Sequence, residues 1–408
     1  MPAEFCFATG SLQFNVLRDQ FVEEGLVMTS GKINCGSQSR CRKMIFGAAA
    51  VGVFGGLALA SAPAAYALTT YDFTSLNSTL PGSDFAAYAY GINNADTIVG
   101  RGSIGTATTQ AYSYSGGTIT NLGNLGGHGS RSAGYAINDF GEVVGRSYTS
   151  TSSGNYHAFS YTSSGGIKDL GTLGGIASYA TGINDSGTIV GTSYILSGSS
   201  YHAFSYTSAG GMIDLGTLPG ATYSSASGIN DSGEVVGQSH SEAFSYTTAG
   251  GMVGLGTLGG SASNAFGIND SGEVVGFSLT SSDAQHAFGY TPSGGMIDLG
   301  TVPGDTVSYA YGVNDSGIVV GSGGTTGLSD AFVYSAGAIM SLNNPAVTVN
   351  LPGGWILYEA TGINDAGDIV GWGNMGAFLL TPTPEPGSLA LLTMGGLGLI
   401  LRGRNKKA

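Results

Sequence analysis

A short block recurs seven times along this chain of 408 residues: Gly91-Ile-Asn-Asn, Ala136-Ile-Asn-Asp, Gly182-Ile-Asn-Asp, Gly228-Ile-Asn-Asp, Gly267-Ile-Asn-Asp, Gly312-Val-Asn-Asp and Gly362-Ile-Asn-Asp, at steps of 45, 46, 46, 39, 45 and 50 residues. Nothing else in the sequence restricts the fold as much. A unit of this size buries its apolar face only against its neighbours, so the repeats must stack or close on themselves. An alanine-aromatic pair follows each block, at Ala111-Tyr112, Ala158-Phe159, Ala203-Phe204, Ala243-Phe244, Ala287-Phe288, Ala331-Phe332 and Ala377-Phe378. The segment Leu170-Gly-Thr-Leu-Gly-Gly175, with relatives starting at Leu122, Leu215, Leu255 and Leu299, ends the unit.

Within one unit, β-type runs alternate with Gly, Ser and Asp clusters, as in Tyr179–Asn184, Thr188–Ser193, His202–Thr207 and Met212–Leu218. Four strands in roughly 45 residues is the pattern of a propeller blade. The 72 glycines speak against helices, while 42% hydrophobic residues are too many for a disordered chain. The spacing therefore predicts an all-β, seven-bladed β-propeller of four-stranded blades over residues 68–380. First strands rich in Ala, Gly and Ser belong where blades converge, and third strands carrying Phe and Tyr belong where wedge-shaped blades leave room. The seventh unit shows only three runs, Glu359–Asn364, Asp368–Trp372 and Gly376–Leu380, before a proline-rich segment. Its missing strand has a counterpart near the other end. Thr70-Tyr-Asp-Phe-Thr-Ser-Leu76 and the following Leu80-Pro-Gly82 resemble Met212-Ile-Asp-Leu-Gly-Thr-Leu-Pro-Gly220, so an N-terminal strand is expected to complete the last blade and remove the open edges.

Both ends read as targeting segments with helical apolar stretches. Lys32, Arg40, Arg42 and Lys43 precede the apolar run Met44–Ala60, and small residues at Ala65 and Ala67 follow, which is the layout of a secretory signal peptide over residues 28–67, cut by signal peptidase after Ala67. Residues 1–27 then lie ahead of the initiator Met28, as an extension of the gene model. At the other end, residues 381–408 run from Pro384-Glu385-Pro386 through an apolar stretch, Ser388–Leu401, into the basic Arg402, Arg404, Lys406 and Lys407. This order resembles the PEP-CTERM sorting signal of Gram-negative bacteria. The resemblance implies transient anchoring in the inner membrane, removal of the tail by an exosortase-type protease, and delivery to the cell surface or exopolysaccharide matrix. Thr383 stands where that signal more usually has Val. The blocks His157-Ala-Phe159, His202-Ala-Phe204 and His286-Ala-Phe288 resemble the extracellular HAF repeat family over roughly residues 85–380. That resemblance implies secretion and repetition and carries no activity with it. All three cysteines, Cys6, Cys35 and Cys41, precede Ala67, so the repeats hold no disulfide.

Between Ala67 and Gly387 the only cations are Arg101, Arg131, Arg146 and Lys168, against 22 acidic residues. Nucleic acid is thereby excluded as a partner. The paired residues Asn138-Asp139, Asn184-Asp185, Asn230-Asp231, Asn269-Asp270, Asn314-Asp315 and Asn364-Asp365 read as hairpin turns, their side chains bonding turn backbone and a following Gly supplying positive φ. Calcium is the weaker reading of these carboxylates, since the D-x-D-x-D-G loop is absent, and no cofactor is expected. His157, His202 and His286 stand where the other units have Gln110, Glu242, Asp330 and Gly376, a variable polar edge rather than a zinc site. Gly100-Arg-Gly102-Ser-Ile-Gly105 fits a dinucleotide fingerprint but opens no helix. Trp355, Tyr358 and Trp372 are candidates for stacking on a sugar ring, with blade packing the commoner role for such residues. The expected function is a non-catalytic binding or structural protein of the surface or matrix, engaging exopolysaccharide or another envelope component. The alternative is a secreted hydrolase or lyase of polysaccharide, for which Asp283, Asp305, Asp330 and Glu359 are the acidic residues outside the turns.

Overall fold

The computed structural model describes residues 22–23, 26–27, 69–76, 87–104, 108–126, 131–149, 155–196, 200–325 and 328–383. The signal segment with its apolar run, Ala65 and Ala67, and the tail from Pro384 onward with its apolar stretch, lie outside the described residues. In the first of two compact units, Met1–Ala65, the described part is a small pair of strands, Val22–Glu23 and Leu26–Val27. The described residues of the second unit, Tyr66–Ala408, form a seven-bladed propeller whose blades are built on four antiparallel strands. Blade 1 comprises Tyr88–Ile92, Ile98–Ser103, Thr109–Ser115 and Thr118–Gly123, hydrogen-bonded in chain order. Blades 2 to 6 begin at Ser132, Gly174, Ser224, Gly259 and Val307 and repeat that order.

The core lies between blades. Val190, Ala203 and Leu215 of blade 3 meet Ala226, Val235 and Phe244 of blade 4, and six equivalent clusters occupy the other junctions. Phe159, Phe204, Phe244, Phe288, Phe332 and Phe378 on third strands are 0% exposed, as the wedge shape requires. Polar staples reinforce these junctions. Ser178 at the start of blade 3 accepts from the Ala158 N–H of blade 2 at 2.9 Å and donates to the Gly171 carbonyl, and Ser132, Ser224, Ser263 and Ser308 repeat this. Between blades 6 and 7, where serine is missing, Asn343 takes over through Leu357 N–H and C=O at 2.8 and 2.9 Å.

Blade 7 closes as the sequence predicts. Leu357–Ile363, Ile369–Gly373 and Gly376–Pro382 are completed by Tyr71–Ser75, paired antiparallel from Tyr71↔Pro382 to Ser75↔Phe378. Tyr71 and Leu76 are each 2% exposed, and burial, reinforced by Asp368, raises the Tyr71 phenol to about 12. The sheet gains a fifth strand that the repeat pattern does not announce: Thr348–Val349, from the linker between blades 6 and 7, pairs parallel to Tyr71 and Asp72 and covers the outer edge. The backbone N–H of Thr383 donates to Thr70 at 2.8 Å, so both ends of the propeller leave blade 7 together.

Two details position the functional surface. In blade 3 the fourth strand, Gly211–Asp214, ends sooner than the sequence suggests, and the Asp214 carboxylate accepts from Gly216 N–H at 2.7 Å just beyond it. Every innermost strand also carries a register shift, spanning Ala89/Gly91, Gly134/Ala136, Ala180/Gly182, Ala226/Gly228, Ala265/Gly267, Ala310/Gly312 and Ala360/Gly362. A bulge re-aims the residue it leaves unpaired. Those residues are Tyr90, Tyr135, Thr181, Ser227, Phe266, Tyr311 and Thr361, and five of them line the axial channel together with flanking glycines and isoleucines.

Candidate functional site

The channel has two chemically different ends. Innermost strands run toward the end that carries the Asn-Asp turns, so all seven turns meet there around one cup. Each asparagine is buried, and its Oδ1 accepts from its own turn; for Asn184 the donor is Thr188 N–H at 2.9 Å. Its Nδ2 reaches across to the next blade. Asn93, Asn138, Asn184, Asn230, Asn269, Asn314 and Asn364 each donate to the backbone carbonyl of the next asparagine at 2.9–3.3 Å, and Asn364 returns to Asn93. A second ring lies beside the first, in which each aspartate accepts the N–H of the preceding blade's turn, as Asp185 does from Asp139 at 2.9 Å. The expectation that both residues serve their own turn therefore holds for asparagine alone. The aspartates link neighbouring blades.

Asn94, standing where the other turns have Asp, donates to Asp139 and Asp365 at 3.0 and 2.9 Å and relieves repulsion at that point of the ring. Farther round, the N–H of Asp231 pulls the Asp270 carboxyl down, but partial burial and the carboxylates of Asp231, Asp315 and Asp365 together hold it above the ordinary range. Among the described residues no group of three or more His, Cys, Asp or Glu is arranged to hold a metal ion. Each aspartate of the Asn-Asp turns gives one oxygen to a backbone donor of the neighbouring turn.

The histidines do not converge either. His157, His202 and His286 each contact, through Nδ1, the carboxylate of Asp169, Asp214 or Asp298 on the adjacent outermost strand at 2.8–3.0 Å. The same carboxylates accept from Gly171, Gly216 and Gly300. In blade 4 both partners change at once: Gly254 replaces the aspartate, and Glu242, replacing the histidine, accepts from Gly256 N–H at 3.1 Å. Asp330 fills the position in blade 6 with bonds from Ser341 and Asn343 at 2.6 and 2.7 Å. What reads as a variable polar edge is thus a set of interchangeable clips between the two outer strands.

The opposite mouth is aromatic. Tyr358, Trp372, Tyr88, Tyr90 and Tyr135 run across blades 7, 1 and 2 with successive ring centroids 5.6, 5.0, 6.2 and 5.3 Å apart. Tyr148, Tyr156 and Tyr179 continue across blades 2 and 3, Tyr194, Tyr201, Tyr223 and His240 across blades 3 and 4, and Phe277, Tyr309, Tyr311 and Phe266 across blades 5 and 6. Most of these rings are half-buried, with a face or edge toward solvent. Two arginines sit among them. The Arg101 guanidinium lies 4.6 Å from the Tyr88 ring centroid, and that of Arg146 lies 4.9 Å from Tyr156 and 5.7 Å from Tyr135. Burial raises the Tyr90 phenol to about 12 although both guanidinium groups oppose the shift. Of the sequence candidates, Trp372 and Tyr358 belong to this mouth, whereas Trp355 packs on Phe73 of the closing strand at 4.8 Å.

Glu359 is the acidic candidate that reaches the aromatic arc. Trp372 Nε1 donates to it at 3.2 Å, and burial nonetheless pushes its carboxyl up. Asp305 and Asp330 lie together at the rim of blade 6, and Asp283 occupies a left-handed turn position at φ 60°. The signal for the arginines was present in the sequence, since both follow the glycine of the second strand, at Gly100-Arg101 and Gly145-Arg146.

A pH dependence follows. Burial, as the largest cause in each, raises the carboxyls of Glu273, Asp305, Glu359 and Asp368 above their ordinary range. Such groups bind protons more readily folded than unfolded in the window between the unfolded value, about 4, and the higher folded value, so stability falls as pH rises through that window. The propeller should melt at a higher temperature at about pH 5 than at about pH 7. A thermal scan showing no change, or a rise toward neutrality, contradicts this.

No family model and no curated protein matches the chain. Solved structures resemble it at low identity: virginiamycin B lyase from Staphylococcus aureus is 15% identical, with 77% of this chain and 100% of that chain covered and a TM-score of 0.49. A prolyl endopeptidase is 14% identical over 74% of this chain and 51% of that one, with a TM-score of 0.50, and TolB from Acinetobacter baumannii is 12% identical over 74% and 65%, with a TM-score of 0.40. At such identities the likeness concerns the propeller fold alone.

Proposed function

We propose that the chain is an exported, non-catalytic surface or matrix protein that binds polysaccharide through its aromatic mouth. The observation that carries this is the run of half-buried tyrosines and Trp372 around one end of the channel, since flat apolar faces with polar rims are what a sugar ring stacks on. Several such platforms in neighbouring blades suit a repetitive polymer, each adding a weak contact. Export rests on the signal segment ahead of Leu68 and on the resemblance of the tail to a PEP-CTERM signal, with signal peptidase and an exosortase-type protease as processing partners. The sequence passes from Thr383, beside the turn end, directly into Pro384-Glu385-Pro386. A tail held in the inner membrane would leave from that end, and the mouth would face away.

One observation favours a second reading, a hydrolase or lyase: Glu359, its carboxyl raised by burial, stands at the mouth where an acid-base group would act. Incubating the purified propeller with the host's own exopolysaccharide separates the two. Retention of the protein with unchanged chain length is expected, and new reducing or unsaturated ends would establish the enzyme.

A further inference from the structure

We infer that the mouth selects an acidic sugar chain, its carboxylates received by Arg101 and Arg146 while its rings lie on the neighbouring tyrosines. This rests on the polysaccharide reading above and specifies the class of polymer. Arg101 and Arg146 occupy the same position in blades 1 and 2; the other blades have Thr192, Gln238, Phe277, Ser322 and Trp372 there. The repeat itself does not demand a cation. Each guanidinium lies against tyrosine rings, Arg101 at 4.6 Å from Tyr88 and Arg146 at 4.9 Å from Tyr156, and the rings of Tyr90 and Tyr135, 5.3 Å apart, join the two sites.

Those contacts hold the guanidinium groups but leave their donors unused. A guanidinium carries five N–H donors, and a ring face satisfies it only electrostatically. Neither arginine makes an ion pair or side-chain hydrogen bond among the described residues, and the Arg101 Nε is shut away from solvent without a partner. Planar carboxylates match this fork with two parallel bonds, which makes them the natural missing partner. Glu359, the carboxylate of the same arc, is already engaged by Trp372. Of the remaining cations of the propeller, Lys168 is elsewhere, donating to Tyr206 at 2.9 Å on an outer strand, while the exposed Arg131 stands ahead of blade 2 beside the mouth, its carbonyl accepting from Tyr148 N–H at 3.0 Å. On so acidic a body, the cations clustered at this mouth are where a polyanion finds attraction.

The test compares hexamers of polygalacturonate with the same hexamers after reduction of their carboxylates to alcohols, both titrated calorimetrically in the presence of a chelator. The acidic hexamer should bind about tenfold tighter or more, and the advantage should shrink as salt is raised. Combining Arg101→Gln with Arg146→Gln should abolish the advantage while leaving the reduced hexamer bound as before. Lys168→Glu, an equal change of net charge on an outer strand away from the mouth, should preserve it. Equal affinity of wild-type protein for both hexamers overturns the acidic preference, as does binding that vanishes in chelator, which would assign the carboxylates to a bridging divalent cation. Failure to hold either hexamer would remove the polysaccharide reading along with it. Should the arginine variants not fold, the wild-type comparison and the charge-matched control still decide.

Discussion

Deleting residues 69–76 should abolish the cooperative native monomer. The segment supplies the fourth strand of blade 7 and buries Tyr71 and Leu76, each 2% exposed. Burying a large apolar side chain contributes roughly 1.5–3 kcal/mol, and each net hydrogen bond of the ladder about 1 kcal/mol. Two buried side chains and a five-residue ladder thus approach the whole stability of an ordinary domain, about 5–15 kcal/mol. The deletion also uncovers the edge of Gly376–Pro382 and leaves Thr348–Val349 without the strand it pairs with. An open edge invites another chain, so unfolding or self-association is expected in size-exclusion chromatography and calorimetry. A truncated protein that stays monomeric with an unchanged melting temperature would contradict closure by this strand.

The second large effect is expected from one methyl group. Gly276 lies in the second strand of blade 5 directly beneath the innermost strand, where an added Cβ would stand 2.0 Å from the Asn264 carbonyl oxygen and 2.9 Å from the Ala265 Cα. Both are backbone atoms of the strand that forms the channel wall, so no rotamer change relieves the clash. Gly276→Ala must push that strand away from its partner. The cost should be about 4 kcal/mol or more, a fall in melting temperature on the order of 10 °C. Gly102→Ala is the control: the nearest atom to its Cβ is 3.4 Å away, and melting should barely change. Similar losses for both variants would show that the close approach is not what matters.

The contrast between these two glycines bears on how much a sequence discloses. The period, the four runs per unit and the shared closing blade were all legible, because strand alternation and turn residues are local signals and the missing fourth strand is a matter of arithmetic. Closure through Tyr71–Ser75 followed from its likeness to Met212–Leu218. The strand Thr348–Val349 was not legible, since two residues pairing in parallel leave no periodicity to read. For the Asn-Asp turns the sequence showed the hairpin but not its neighbour, and the bonds that close the axis run between residues 39 to 50 positions apart, with the last returning over 271. The histidine clips were half visible: each pairs with an aspartate 12 residues on, and blade 4 departs from both members together. The aromatic mouth was hidden for a different reason. Its residues are the ones that vary from repeat to repeat, and a search for repetition discounts what is not repeated. Among them, Tyr90 and Tyr135 reach the channel because a bulge, a feature of pairing, leaves them out of the ladder.

The proposal that this propeller works outside the cytoplasm is tested most directly by mass spectrometry of the protein recovered from cells and medium. Extracellular or surface material should begin at Leu68 and lack the tail from Ser388 to Ala408, leaving the propeller intact between Thr70 and Thr383. Recovery of the uncut chain of 408 residues in the cytoplasm, with none outside, would contradict it.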